Sequence, residues 1–255
     1  MEEKKFKNLR VFNLVMSVFH CAQGIIMILI STDFTLPVTT AFIQFNTKTL
    51  SLEPVLKTQF EFSIAFLVAG FLFLSSITHF LLAMPKINNW YNQNIKKGIN
   101  PGRWIEYSFS SSLMIVVIAM LVGIYDGVAL MLMFFLNAMM ILFGWMMELH
   151  NQNTKKTDWT AYWFGLLAGA IPWIAIGIYL FGSGEGEYNP PTFVYWIFFS
   201  IFIFFNVFAL NIVLQYKKIG PWKYYAFGEK VYIILSLVAK SLLAWQVWAG
   251  TMQPE

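Results

Sequence analysis

The sequence predicts an all-α membrane protein: a seven-transmembrane-helix bundle, N-terminus cytoplasmic and C-terminus extracellular, with a short extracellular β-hairpin between helices 1 and 2. Three observations carry that reading. Of 255 residues, 58% are hydrophobic and only 12% charged, with a mean hydropathy of +0.62, which is too apolar for a soluble globule. Seven stretches are each long and apolar enough to cross a hydrocarbon core of about 30 Å, which takes roughly 20 helical residues. Basic residues collect in the connections on one side of those stretches.

The spans fall at Leu9–Ser31, Phe60–Met84, Trp104–Tyr125, Val128–His150, Trp159–Phe181, Thr192–Tyr216 and Trp222–Trp248. In such a bundle nearly every helix contributes to one core, so residues 1–255 are read as a single domain. Lys4, Lys5, Lys7 and Arg10 precede the first span. Lys86, Lys96, Lys97 and Arg103 lie between the second and third, Lys155 and Lys156 follow the fourth, and Lys217, Lys218 and Lys223 follow the sixth. The other side carries Lys48 and Lys57 with Asp33, Glu53, Asp126, Glu185, Glu187 and Glu255. The positive-inside rule therefore sets the orientation. A pI near 9.0 reflects these topology signals, with the anionic surface of the lipid bilayer as their contact and no call for nucleic acid. The first apolar segment is long and lacks a small-residue cleavage site, so it is expected to stay as a span. Cys21, the one cysteine, has no internal partner, which removes disulfides and cysteine metal sites.

Between spans one and two, Pro37 to Phe45 and Leu50 to Leu52 are rich in β-branched and aromatic residues with a break at Asn46, the pattern of a hairpin. It caps the bundle or makes a dimer contact. Gly182-Ser-Gly-Glu-Gly-Glu reads as a flexible outer turn, and Pro172 as a kink in the fifth span. Aromatic residues, 18% of the chain, are read mostly as lipid-facing and belt residues.

Polar residues inside the spans carry the functional signal. Lys240 lies in the last span, where a lysine costs roughly 2.5–3.5 kcal/mol on insertion scales. Left uncharged by burial, its amine is a nucleophile able to form a Schiff base with an aldehyde. Glu229, Ser236 and Lys240 share one helical face, Arg103, Glu106 and Ser110 another, Ser75 and His79 a third, and Asn13, Ser17 and His20 a fourth. Lysine snorkelling or structural pairing is the plainer reading of Lys240; for Glu106 it is an interfacial pair with Arg103. His20 and His79 read as hydrogen-bonded interior histidines, and no metal site is expected. Glu229 and Glu148 read as solvated or headgroup-level charges.

Seven spans, a lysine deep in the last and a carboxylate on the third preceded by arginine at i−3 resemble the microbial rhodopsins. The inverted orientation, Arg103-Trp-Ile-Glu106-Tyr, Ser236-Leu-Val-Ala-Lys240, and His20 with His79 narrow the likeness: over essentially the whole chain the sequence resembles the heliorhodopsins. The resemblance implies all-trans retinal on Lys240 as a protonated Schiff base, with Glu106 as counterion. Arg103, Ser75, Ser110 and Ser236 would surround the Schiff base, and His20 and His79 would form a cavity associated with proton acceptance. It further suggests Tyr107, Ser111, Asn137, Ile141, Gly144, Trp163, Phe205 and Asn206 as pocket residues, a homodimer, and a cytoplasmic or membrane signalling partner not identified by sequence.

Position 117, where a conventional outward pump carries a second carboxylate, is Val117, and Ser236 stands where such pumps carry an aspartate. This favours a non-enzymatic light sensor over the alternatives: an ion transporter using Glu229, Glu148 and the histidine cavity, or a retinal-free transporter or receptor with Lys240 as counter-charge. One tension remains inside the sequence. Glu106 lies about 19 residues before Tyr125 and Lys240 about eight before Trp248, a depth difference of roughly 16 Å at 1.5 Å per residue.

Overall fold

A computed structural model of the chain describes residues 2–182 and 190–253. The side chains of Lys4, Lys5 and Lys7, the outer turn with Glu185 and Glu187, and Glu255 lie outside the described residues. The elements, in chain order, are α1 (Glu2–Ile30), β1 (Thr35–Asn46), β2 (Ser51–Ser63), α2 (Ile64–Ala83), α3 (Pro85–Lys97), α4 (Pro101–Leu121), α5 (Gly127–Asn151), α6 (Thr160–Gly182), α7 (Thr192–Tyr216) and α8 (Tyr225–Val247). A π-helical turn, Trp248–Met252, prolongs α8. Seven of the helices are long and apolar enough to cross a membrane.

The hairpin forms as its composition predicts. β1 and β2 pair antiparallel from Thr35↔Ser63 to Asn46↔Ser51, with a bulge between Val38 and Thr39. Leu50 takes a left-handed φ of 53° in its turn, and the hairpin is tied to the bundle where Thr39 N donates to Tyr125 O at 2.8 Å. Gly127 begins α5 under this contact, and a side chain there would press on Val38. β2 continues through Phe60–Ser63, so the second transmembrane helix starts four residues later than the hydropathy pattern suggests.

Helix α3 is the element the hydropathy reading omits. Pro85 opens it, and Gly98, at φ 76°, closes it in a left-handed cap, the preferred use of proline and glycine at the two ends of a helix. Its buried residues Asn88, Tyr91 and Ile95 lie on one face.

α4 is the most enclosed of the seven long helices. Asn100 caps it by accepting from Arg103 N at 3.1 Å, with Pro101 at its start. Its second half, Ile115 to Met120, lies in an apolar core with Met27, Val68, Phe71, Leu72, Leu243 and Val247. Outward-facing side chains such as Phe66, Leu167, Ile178 and Trp196 are exposed, as suits faces turned to hydrocarbon. α6 runs unbroken through the buried Pro172.

Candidate functional site

α2, α4 and α8 together build the centre of the site. Glu106 lies two turns into α4 and Lys240 four turns into α8, and Lys240 Nζ donates to Glu106 Oε1 at 2.9 Å. Ser75, from α2, donates to the same oxygen at 2.6 Å. Lys240 also donates to Ser236 Oγ, one turn back on α8, at 2.7 Å. The Tyr107 ring lies 5.0 Å from the amine. Ser110 is fully buried one turn along α4 from Glu106. An ion pair so enclosed holds only with good geometry and further hydrogen bonds, and two serines supply them.

The depth difference in the sequence reading shrinks for two reasons. α4 ends at Leu121, short of Tyr125, and α8 continues as helix to Met252. Measured from those ends, the two residues differ by about 4–5 Å at 1.5 Å per residue.

Beside α4, α1 and α2 hold the two histidines together. The rings of His20 and His79 stack with centroids 5.7 Å apart. Asn13 Oδ1 lies 2.7 Å from His79 Nδ1, and Ser17 exchanges hydrogen bonds with Ser76. Both ring nitrogens of His20 are buried and have no hydrogen-bond partner among the described residues. Ser76 escaped the sequence reading, although its i+3 spacing to His79 places it on the same polar stripe.

Arg103, Glu148 and Glu229 require a correction. Arg103 pairs with neither Glu106 nor the Lys240 environment; it turns the other way and bridges Glu148 on α5, at 2.6 Å, and Glu229 on α8. Both carboxylates are buried, not solvated. The cause is local: Asn100 Nδ2 donates to Glu229 at 2.6 Å, Trp104 Nε1 to Glu148 at 2.5 Å and Tyr225 to Glu148 at 2.7 Å. The guanidinium carbon sits 4.2 Å from the Trp104 ring and 3.9 Å from the Tyr232 ring, a stacked arrangement that suits Arg. Neighbouring charge in sequence, such as Lys230 beside Glu229, concealed this burial.

A largely apolar cavity opens from Lys240 and Ser236 between Tyr107, Ser111, Ile141 and Phe205. A second shares Tyr107, Ile141 and Phe205 and continues past Gly144, Tyr162 and Tyr232. Asn137 is buried behind Ser111, to which it donates at 2.8 Å. Gly144 makes room for the Trp104 ring, which a Cβ would strike.

Two residues expected in the pocket are elsewhere. Trp163 is 63% exposed, while its neighbour Tyr162 lines the second cavity. Asn206 is exposed and bonds back to Phe202 O at 2.8 Å, while Phe205 takes the inward position. Successive residues on a helix differ by about 100° in direction, so an error of one position exchanges cavity for lipid.

An enclosed lysine beside a carboxylate, at the mouth of an apolar cavity, fits an elongated apolar chromophore bearing an aldehyde. Among curated proteins none matches the chain. The family model for heliorhodopsin matches residues 9–252. The chain therefore belongs to the heliorhodopsin family, as a multi-pass integral membrane protein of the light-sensing, retinal-binding type.

Proposed function

We propose that this protein is a light sensor in which Lys240 carries all-trans retinal through a protonated Schiff base, with Glu106 as counterion, a slow photocycle and no ion pumping. The observation that carries the assignment is the 2.9 Å contact between Lys240 Nζ and Glu106 Oε1 at the head of an apolar cavity. When bound, retinal supplies visible-light absorption and a photoisomerising double bond. The protein supplies the rest.

Glu106 balances positive charge at the Lys240 nitrogen, because an unpaired buried cation loses its proton instead of paying several kcal/mol of desolvation. Ser75 keeps Glu106 ionised and oriented by donating to it. Ser236 holds the nitrogen from the other side. Tyr107, Ile141 and Phe205 give flat and branched walls that exclude water, and Gly144 with Trp104 bounds the far cavity. The unpartnered ring nitrogens of His20, stacked on His79, are the group we assign to proton acceptance. The concentration of Lys and Arg on one side of the spans supports a cytoplasmic N-terminus in a cell membrane. The whole of 1–255 acts as one retinal-binding unit, a homodimer is the expected assembly, and the signal passes to a cytoplasmic or membrane partner.

The test is reconstitution. Purified protein mixed with all-trans retinal gains a visible absorption band, and Lys240→Ala loses it while Ser236→Ala keeps it. A colourless wild type, or a band that survives in Lys240→Ala, overturns the assignment.

A further inference from the structure

At the end of the bundle where α4 begins, three connections close around an open cup of about 320 Å³. Lys97 comes from the end of α3, Lys155 and Lys156 from the α5–α6 connection, and Lys218 from the end of α7. All four lysines are exposed, and among the described residues none is in an ion pair. We infer that this cup binds a phosphate-bearing anion, using the ammonium groups of Lys97, Lys155, Lys156 and Lys218. The site is separate from Lys240 and its cavities, and the inference does not rest on the light-sensor reading.

The lysines line a concave surface. Charged side chains on a convex surface are ordinarily solvated, whereas like charges lining a cleft with low-dielectric walls focus the field and concentrate counter-ions. The C-terminal ends of α3, α5 and α7 face the same region, each carrying about −0.5 charge, and Glu148, which itself lines the cup, belongs with Arg103 and Glu229 to a buried group that adds about one more negative charge. Four lysines outweigh these. Lys97 and Lys218 sit at helix ends, where positive charge is favourable for its own sake. Lys155 and Lys156 sit beyond the helix, so helix-end neutralisation does not account for them.

The cup is also pre-organised. The connection bearing Lys155 and Lys156 is pinned at both ends: Asn151 Oδ1 accepts from Asp158 N at 2.7 Å, and Asn151 Nδ2 donates to Asp158 O at 2.9 Å. Thr154 closes the same ring onto Asn151 at 3.0 Å. Thr157 also lines the cup, and its hydroxyl has no partner among the described residues. Lysines are point-charge phosphate binders that do not demand a planar fork. A lipid headgroup and a soluble phosphorylated molecule both present this chemistry, and the experiment separates the two.

Full-length protein in nanodiscs of phosphatidylcholine is titrated calorimetrically with inorganic pyrophosphate, and nanodiscs containing phosphatidylglycerol are analysed by native mass spectrometry. Wild type is expected to bind one of the two probes saturably. The variant Lys155→Gln/Lys218→Gln is expected to lose at least tenfold in affinity, and Lys155→Arg/Lys218→Arg to retain it. Pyrophosphate binding assigns a soluble ligand, and selective retention of phosphatidylglycerol assigns a lipid. Lys86→Gln/Lys223→Gln removes equal charge outside the cup. The proposal is overturned if neither probe binds, or if this control weakens binding as much as the cup variant does.

Discussion

Each buried charge in this protein is defined by what remains when its partner is removed. Glu106 accepts from both Lys240 and Ser75, so its negative charge is held next to the nitrogen that carries the chromophore in the proposed pigment. Replacing it by glutamine removes the stabilisation of positive charge at that nitrogen. Glu106→Gln is expected to shift the visible band to the red, or to release the nitrogen's proton and move absorption to the near ultraviolet; an unchanged spectrum across pH would remove Glu106 from the counterion role. Arg103 poses the converse case, because one cation serves two buried carboxylates. Arg103→Gln leaves both uncompensated and is expected to cost about 3–5 kcal/mol, read as a lower denaturation midpoint. Glu229→Gln leaves Arg103 paired with Glu148 and should cost less. Equal losses in the two variants would mean that the three groups do not share one cation.

At the scale of elements, what the sequence revealed depended on periodicity. All seven spans lie within four residues of their helices at either end because their apolar runs are long; Thr192–Tyr216 coincides with α7 at both ends. The start of α2 was misjudged because Phe60 and Phe62 are as apolar as a helix start, although they belong to β2. α3 was missed because its exposed face is rich in Asn and Lys and its buried face is only three residues wide. Lys240, Glu106 and Ser75 were legible from stripes one turn apart. The partners of Arg103 were not, since Glu148 and Glu229 lie 45 and 126 residues away and nothing local distinguishes a carboxylate that docks from one that faces water. The α5–α6 connection adds a pH prediction. Hydrogen bonds from the Thr160 side chain and backbone, with a contribution from His150, hold the Asp158 carboxyl below its ordinary range. A carboxyl lowered by folding stabilises the fold above its unfolded pKa of about 3.9, and that contribution is lost as pH falls through the lower folded value. Amides of the connection should therefore exchange faster below about pH 4, after correction for intrinsic rates, and Asp158→Asn should lack this acid-side step.

Across the whole molecule, polar and apolar matter are divided along the bundle axis. His20, His79, Ser75, Glu106 and Lys240, then Arg103, Glu148 and Glu229, occupy the middle and the end where α4 begins. From Ile115 onward α4 is packed against Met27, Val68, Phe71, Leu72, Leu243, Val247 and Met252, and Val117 is fully buried among them. Among the described residues, the buried members of that half of the core include no titratable side chain, and only the Tyr125 and Tyr195 phenols pack against it from partly buried positions. In the proposed pigment, a proton leaving the Lys240 nitrogen thus has polar groups on one side and a dry apolar plug on the other, where an unpartnered charge costs several kcal/mol or more. Proton movement confined to one side returns by the way it came and does no net transport. Illuminated liposomes containing the protein are accordingly expected to show no sustained, protonophore-sensitive pH change and no steady photocurrent at zero voltage, while flash spectroscopy of the same sample records a complete photocycle. A steady current at zero voltage would require a path through the region around Val117, and would make this chain a transporter in place of a sensor.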